Sequence, residues 1–230
     1  MNGTGGWRHE CKYEIDYARQ CYLQQRLKHI MQMDPHARAD GRYLVRSIYF
    51  DNLEDKALRE KRNGTLKREK FRIRYYNDDF SCIRLEKKRK HGQMCRKEGA
   101  ALTEEECRKL LSGDTQWMRT HASPVVLELY AKMKYERLKP RVVVSYLRTA
   151  YRYPAGNVRV TLDCAIRTSL YHAPLLETDV VDISALEAEG AAILELKYDA
   201  FLPELIAGLV QMEGIYRQSF SKYGASRRFG

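Results

Sequence analysis

The sequence predicts an α+β fold: an antiparallel β-barrel around a charged tunnel, with helices packed outside. Three observations lead there. β-rich runs outnumber helical ones, and most come in pairs across short turns. Strand after strand alternates charged with bulky apolar residues, and successive strand residues point to opposite faces. The 230-residue chain also carries 41 Lys and Arg against 30 Asp and Glu, a net charge of +11, which calls for an anionic partner.

Residues 1–7 are Gly-rich and expected to be disordered, leaving a single domain over 8–229. Arg8 to Ile15 reads as a strand with Arg8, Glu10, Lys12 and Glu14 on one face. Apolar residues at helical spacing run from about Tyr17 to Met33, and Pro35 and Gly41 close that helix. Tyr43 to Phe50 is β-rich, and a short charged helix follows, ending near Asn63-Gly64.

The central hairpin joins Lys67–Tyr76 to Ser81–Lys90 through Asn77-Asp78-Asp79. In its first strand Lys70, Arg72 and Arg74 oppose Phe71, Ile73 and Tyr75; in its second, Arg84, Glu86, Lys88 and Lys90 share a face. A return strand is expected at Met94–Ala100. Thr103-Glu104-Glu105-Glu106 has the form of a capping box, and a further helical pattern covers 124–138. A second hairpin, Arg141–Tyr153 with Val158–Arg167, turns at Pro154-Ala155-Gly156-Asn157; Tyr146, Arg148 and Arg152 share one face, and Arg159, Thr161, Asp163 and Arg167 share another. Ile193–Asp199 sets Glu195 beside Lys197, and Pro203 opens a last helix reaching about Gly214.

One strand with cations on one side is ordinarily a solvated face, but six of them ask for a common explanation. A closed barrel aims them into one lumen and leaves their apolar alternates outside under helices. Confined like charges repel, so such a lumen suits a polyanion, and Arg74→Ala is expected to stabilise the empty protein. Arginine pairs phosphate bidentately and lysine acts as a point charge. Glu10, Glu86 and Glu195 are candidates to hold a divalent cation. Most of the 16 tyrosines fall on presumed apolar faces, so packing accounts for them better than base stacking does.

No run approaches the roughly 18 apolar residues that cross a bilayer, and the N-terminus lacks the pattern of a secretion signal. The six cysteines show no CxxC pair, so neither zinc nor a disulfide framework is indicated and a cytoplasmic location is expected.

Eight short motifs now stand in order: Arg8-His9-Glu10-x-Lys12-Tyr13, Arg46-Ser47-x-Tyr49-Phe50-Asp51, Lys70-Phe71-Arg72-x-Arg74, Arg84-Leu85-Glu86-x-Lys88, Arg148-Thr149-Ala150, Val158-Arg159-x-Thr161-Leu162-Asp163, Glu195-x-Lys197-Tyr198 and Ser219-Phe220-Ser221-Lys222-Tyr223. Together they resemble the VTC domain, the polyphosphate polymerase domain of the vacuolar transporter chaperone, in its stand-alone bacterial form. This family lies within the triphosphate tunnel (CYTH-like) superfamily, and the resemblance spans about residues 8–223.

The resemblance implies a tunnel that transfers the γ-phosphate of ATP to a growing inorganic polyphosphate chain with Mn²⁺ or Mg²⁺. It implies catalytic roles for Arg72, Arg74, Lys88, Arg148, Arg159 and Glu195, with Glu195 as the metal ligand. Lys12, Lys97, Ser221 and Lys222 match phosphate-binding positions. Hydrolytic members of the superfamily open with Glu-x-Glu-x-Lys, and here the first position is Arg8, which disfavours activation of a water. Ser219 stands where polymerase relatives can carry a lysine. No membrane-spanning part is included, so membrane coupling would need a separate partner. A triphosphatase of the same fold and a non-catalytic polyphosphate-binding module are the alternatives; no specific nucleic acid is expected.

Overall fold

The computed structural model describes residues 5–169, 182–186 and 190–228. It holds ten strands: β1 (Arg8–Ile15), β2 (Gln32–Met33), β3 (Tyr43–Asp51), β4 (Lys67–Tyr76), β5 (Asp79–His91), β6 (Met94–Leu102), β7 (Lys139–Tyr153), β8 (Val158–Ser169), β9 (Asp182–Ser184) and β10 (Ala192–Tyr198). The helices are α1 (Tyr17–Ile30), α2 (Lys56–Arg62), α3 (Glu104–Ser112), α4 (Pro124–Tyr135), α5 (Glu204–Val210) and α6 (Lys222–Ser226). Strands run in the order β7-β3-β4-β5-β6-β1-β10-β8, and a β7–β8 pairing closes the ring into an antiparallel barrel. The short β2 and β9 add to the outer ends of β7 and β8.

Local chemistry explains most boundaries. Asn77 and Asp78, between β4 and β5, both take left-handed φ values of 55° and 56°, the turn geometry that matches strand twist. Gly156 in the β7–β8 turn has φ 70°, and a Cβ there would collide with the Phe201 carbonyl oxygen. The Thr103 hydroxyl accepts from the Glu106 amide at 3.1 Å while Glu106 accepts from the Thr103 amide at 2.8 Å, so the capping box opens α3 as expected. α1 ends before the expected Met33 because Gln32 and Met33 pair with Arg152 and Tyr151 of β7. Of the N-terminal segment expected to be disordered, 1–4 lie outside the described residues; 5–7 form neither helix nor strand.

The period-2 alternation divides the barrel wall. On its outer face Phe71, Ile73, Ile83 and Leu85 pack beneath residues of α3 and α4, such as Cys107, Leu110 and Val126. Leu23 and Leu27 of α1 and Ile206 of α5 cover Val160, Leu162, Leu194 and Leu196 on the opposite side. A third cluster, with Tyr49, Val144, Tyr146 and Ile193, joins alternates of the inner face to Leu58 of α2 and Tyr223 of α6. The interior is therefore partly apolar, and its charged half is confined to one cavity.

β1 and β6 pair only at Arg8/Cys95 and His9/Met94. Beyond that point the C-terminal segment takes up the wall: Tyr13 bridges Arg217, and the Gln218 amide donates to the Lys12 carbonyl at 2.8 Å. This junction delivers Ser221 and Lys222 to the interior.

A cationic cavity as the candidate functional site

The cavity, of about 380 Å³, is lined from six of the eight barrel strands, all but β6 and β8. β4 contributes Lys70, Arg72 and Arg74; β5, Lys88 and Lys90; β1, Glu10 and Lys12; β10, Glu195 and Lys197; β7, Tyr146 and Arg148. Tyr49 of β3, Lys61 of α2, Arg68 and Glu69 of β4, the Gly92-Gln93 turn and the segment from Arg217 to Lys222 complete the wall. Among the residues expected from sequence, Lys12, Arg72, Arg74, Lys88, Arg148, Glu195, Ser221 and Lys222 meet here.

Arg159 and Lys97 do not line this cavity. Arg159 donates to Asp34 at 2.8 Å and to the Tyr43 hydroxyl at 3.0 Å, and Arg152 binds the same Asp34 oxygen at 3.1 Å. Both arginines flank the β7–β8 turn, where the strands run past the cavity. Lys97 is half exposed and reaches inward only to Glu86, at 2.7 Å.

Four buried carboxylates organise the inner cations. Glu86 receives Arg72 at 2.7 Å and lies 3.7 Å from Arg74. Asp163 receives both ends of Arg148, at 2.6 and 2.7 Å, and Lys222 at 2.5 Å. Glu195 binds Lys197 at 2.5 Å and Lys12 at 3.2 Å. Glu10 holds Lys88 and sits 2.8 Å from Lys90. Burial alone would raise the carboxyls of Glu10, Glu86 and Glu195; the adjacent cations override it and hold all three well below the usual range.

The expectation that the lumen cations are unpaired is thus overturned at Arg74. Its guanidinium is buried and donates to the Tyr146 hydroxyl at 2.8 Å and to Ser47 at 3.2 Å. Its removal would orphan buried polar groups, so Arg74→Ala should destabilise the empty protein, not stabilise it.

Several residues of the site went unselected. Tyr49 looks like a core tyrosine in sequence, and Tyr146, although on the Arg148 face, carries no assigned role there; yet Lys222 lies 4.6 Å above the Tyr146 ring and Arg72 5.9 Å above Tyr49. Lys61 and Arg217 lie outside the selected strand faces, and Arg68 extends the Lys70, Arg72 and Arg74 face by one step. Lys70 and Lys197 were legible, as members of predicted cationic faces.

For a divalent cation the donors are Glu195 and Glu10, whose charges are close enough to perturb each other. Oε1 of Glu10 has no aligned hydrogen bond despite the nearby Lys90 ammonium. Two carboxylates fit an ion that takes its remaining ligands from phosphate oxygens and water. Glu86, the third carboxylate considered, is instead committed to arginine. No group of three or more His, Cys, Asp or Glu suited to a metal occurs among the described residues.

A closed antiparallel barrel whose interior cations are held in place by carboxylates defines a tunnel-type anion-binding protein. The chain belongs to the VTC domain family, whose model matches residues 7–229. The fold is similar to that of a Hippeastrum protein described as a candidate adenylyl cyclase that reveals a dominant triphosphatase activity: TM-score 0.57 and 12% identity over 96% of this chain and 94% of that one. It is also similar to the PH1012 protein of Pyrococcus horikoshii, with TM-score 0.50 and 14% identity over 94% and 96%. Among curated proteins none matches by sequence. No helix among the described residues is long and apolar enough to cross a membrane.

Proposed function

We propose that the protein is a polyphosphate polymerase that transfers the γ-phosphate of ATP to the end of an inorganic polyphosphate chain. The observation that carries this reading is the convergence of Lys12, Arg72, Arg74, Arg148 and Lys222 on one cavity, with the arginines already fixed by Glu86 and Asp163. Oriented cations of this kind hold two phosphate groups in line and offset the charge they share, at little cost in reorganisation.

In the transfer, an oxygen of the acceptor's terminal phosphate attacks the γ-phosphorus. The bond to the β–γ bridging oxygen breaks and ADP leaves. The attacking oxygen is already anionic, so no protein nucleophile or base is needed. Mn²⁺ or Mg²⁺ held by Glu195 and Glu10 would supply further charge neutralisation at the phosphate oxygens. Arg8 supports transfer over hydrolysis: where hydrolytic relatives carry a carboxylate, this side chain binds Asp199 at 2.7 Å.

Purified protein given ATP and Mn²⁺ should yield ADP and a ladder of polymer on a gel. Orthophosphate without polymer would make it a triphosphatase. Polyphosphate binding with ATP left intact would make it a binding module.

The pH dependence of binding is also set by the site. Burial lowers the Lys70 and Lys88 ammoniums to about 7, in Lys88 despite Glu10. These groups lose charge as pH rises through 7. Affinity for a long linear polyphosphate should therefore fall between pH 6 and pH 8, even though the ends of the ligand gain charge. Calorimetric titration across that range checks this, and a flat or rising affinity would contradict it.

A further inference from the structure

The cations of the cavity fall into two groups. Those of the inner group, Arg72, Arg74, Arg148, Lys12, Lys88, Lys90, Lys197 and Lys222, each lie within 4.0 Å of a carboxylate oxygen. Lys61, Arg68, Lys70 and Arg217 line the same cavity, and among the described residues none of them has a carboxylate partner. Lys61 rests on the Ser219 hydroxyl at 2.6 Å, and Lys70 on the Ser221 hydroxyl at 3.3 Å. Arg217 donates to the Gln93 side chain at 2.9 Å and to the Glu10 carbonyl at 3.0 Å. These neutral partners position the cations without offsetting their charge.

Strand register sharpens the contrast. Across β4 and β5, Arg72 faces Glu86, but one step on Lys70 faces Lys88, and a further step on Arg68 faces Lys90. Opposed like charges on a ladder are destabilising. Lys70 is largely desolvated there; burial and the neighbouring Lys12, Arg68 and Lys61 lower its proton affinity, and Asp51 offsets this only in part. Carboxylates thus balance one half of the cavity and leave the other half unbalanced.

We infer that Lys61, Arg68, Lys70 and Arg217 form a second oxyanion subsite, beside the Gly92-Gln93 turn, which holds units of a linked phosphate chain beyond the three phosphates bound by the inner arginines. The inference rests on the reading that the cavity takes linked phosphates. Interior units of such a chain carry one charge each, spread over unesterified oxygens, and suit separate point-like cations better than one bidentate clamp. The site therefore grades by chain length: short anions use the inner group, longer ones both.

The test compares affinities for tripolyphosphate and for a linear polyphosphate several times longer, by calorimetry on wild type, Arg68→Gln and the Lys61→Gln, Arg68→Gln pair. Arg68→Gln removes a charge and no hydrogen bond found among the described residues, so folding is not at stake. Each substitution is expected to lower the ratio of long-chain to tripolyphosphate affinity about tenfold, as for loss of one charge-assisted contact. An unchanged ratio would overturn the inference while leaving the functional reading standing. Failure of wild type to bind either anion would overturn both.

Discussion

Asp163→Ala should cost the empty protein about 3–5 kcal/mol of unfolding free energy, because it strands two buried cations at once. Asp163 is fully buried and is bound by Arg148 and Lys222, from β7 and α6. Burial would raise its carboxyl, but Arg148 and then Lys222 hold it at about 2, below the ordinary 3.8. A carboxyl depressed on folding contributes stability that is present above pH 3.8 and lost as pH falls towards 2. Denaturant melts at pH 7 measure the first effect, and melts from pH 4 to pH 2 the second. In Asp163→Ala the acid-sensitive loss should be smaller than in wild type, with Glu10, Glu86 and Glu195 supplying what remains, and a loss under about 1 kcal/mol at pH 7 would mean the cations find other partners.

Arg72→Ala should lower the rate of phosphoryl transfer by about 10²–10³-fold with the fold retained. The fold survives because Glu86, its partner, keeps Lys97 at 2.7 Å and Arg74 at 3.7 Å. What is lost is one preorganised guanidinium at the wall of the cavity. Initial rates of ADP release, paired with a thermal melt, separate the outcomes. Near-normal turnover would take Arg72 out of the catalytic set, and collapse of the melt would make its role structural. Glu195→Gln provides the companion measurement, since it alters the donor set for a divalent cation and keeps the side chain's shape.

Much of the site was legible before the fold was known, for a local reason. Side-chain direction along a strand alternates with every residue, so Lys70-Phe71-Arg72-Ile73-Arg74 announces which residues share a face. Arg148 and Arg152 share a face for the same reason. Register is not local in that way: the Asn77-Asp78 turn pairs Tyr76 with Asp79, and a shift in register between Arg74 and Tyr76 is what sets Arg72 opposite Glu86, whereas alternation needs no such detail. Sequence could not show that the 15-residue β7 outruns the cavity, so that Arg152, with Arg159 beyond the turn, binds Asp34 instead. The tyrosines misled because the same period-2 pattern serves an inner wall that is partly apolar and partly charged.

By itself, the sequence determined the strands, their two faces, the hairpins and the capped helix α3, since each depends on residues a few positions apart. The tertiary structure alone decided which cation meets which carboxylate. Lys222 reaches Asp163 across 59 positions, and Lys88 reaches Glu10 across 78. Closing and tilting a barrel brings such distant groups within hydrogen-bonding range, and no pattern in the chain encodes that distance. That pairing also separates the balanced half of the cavity from the half still short of negative charge.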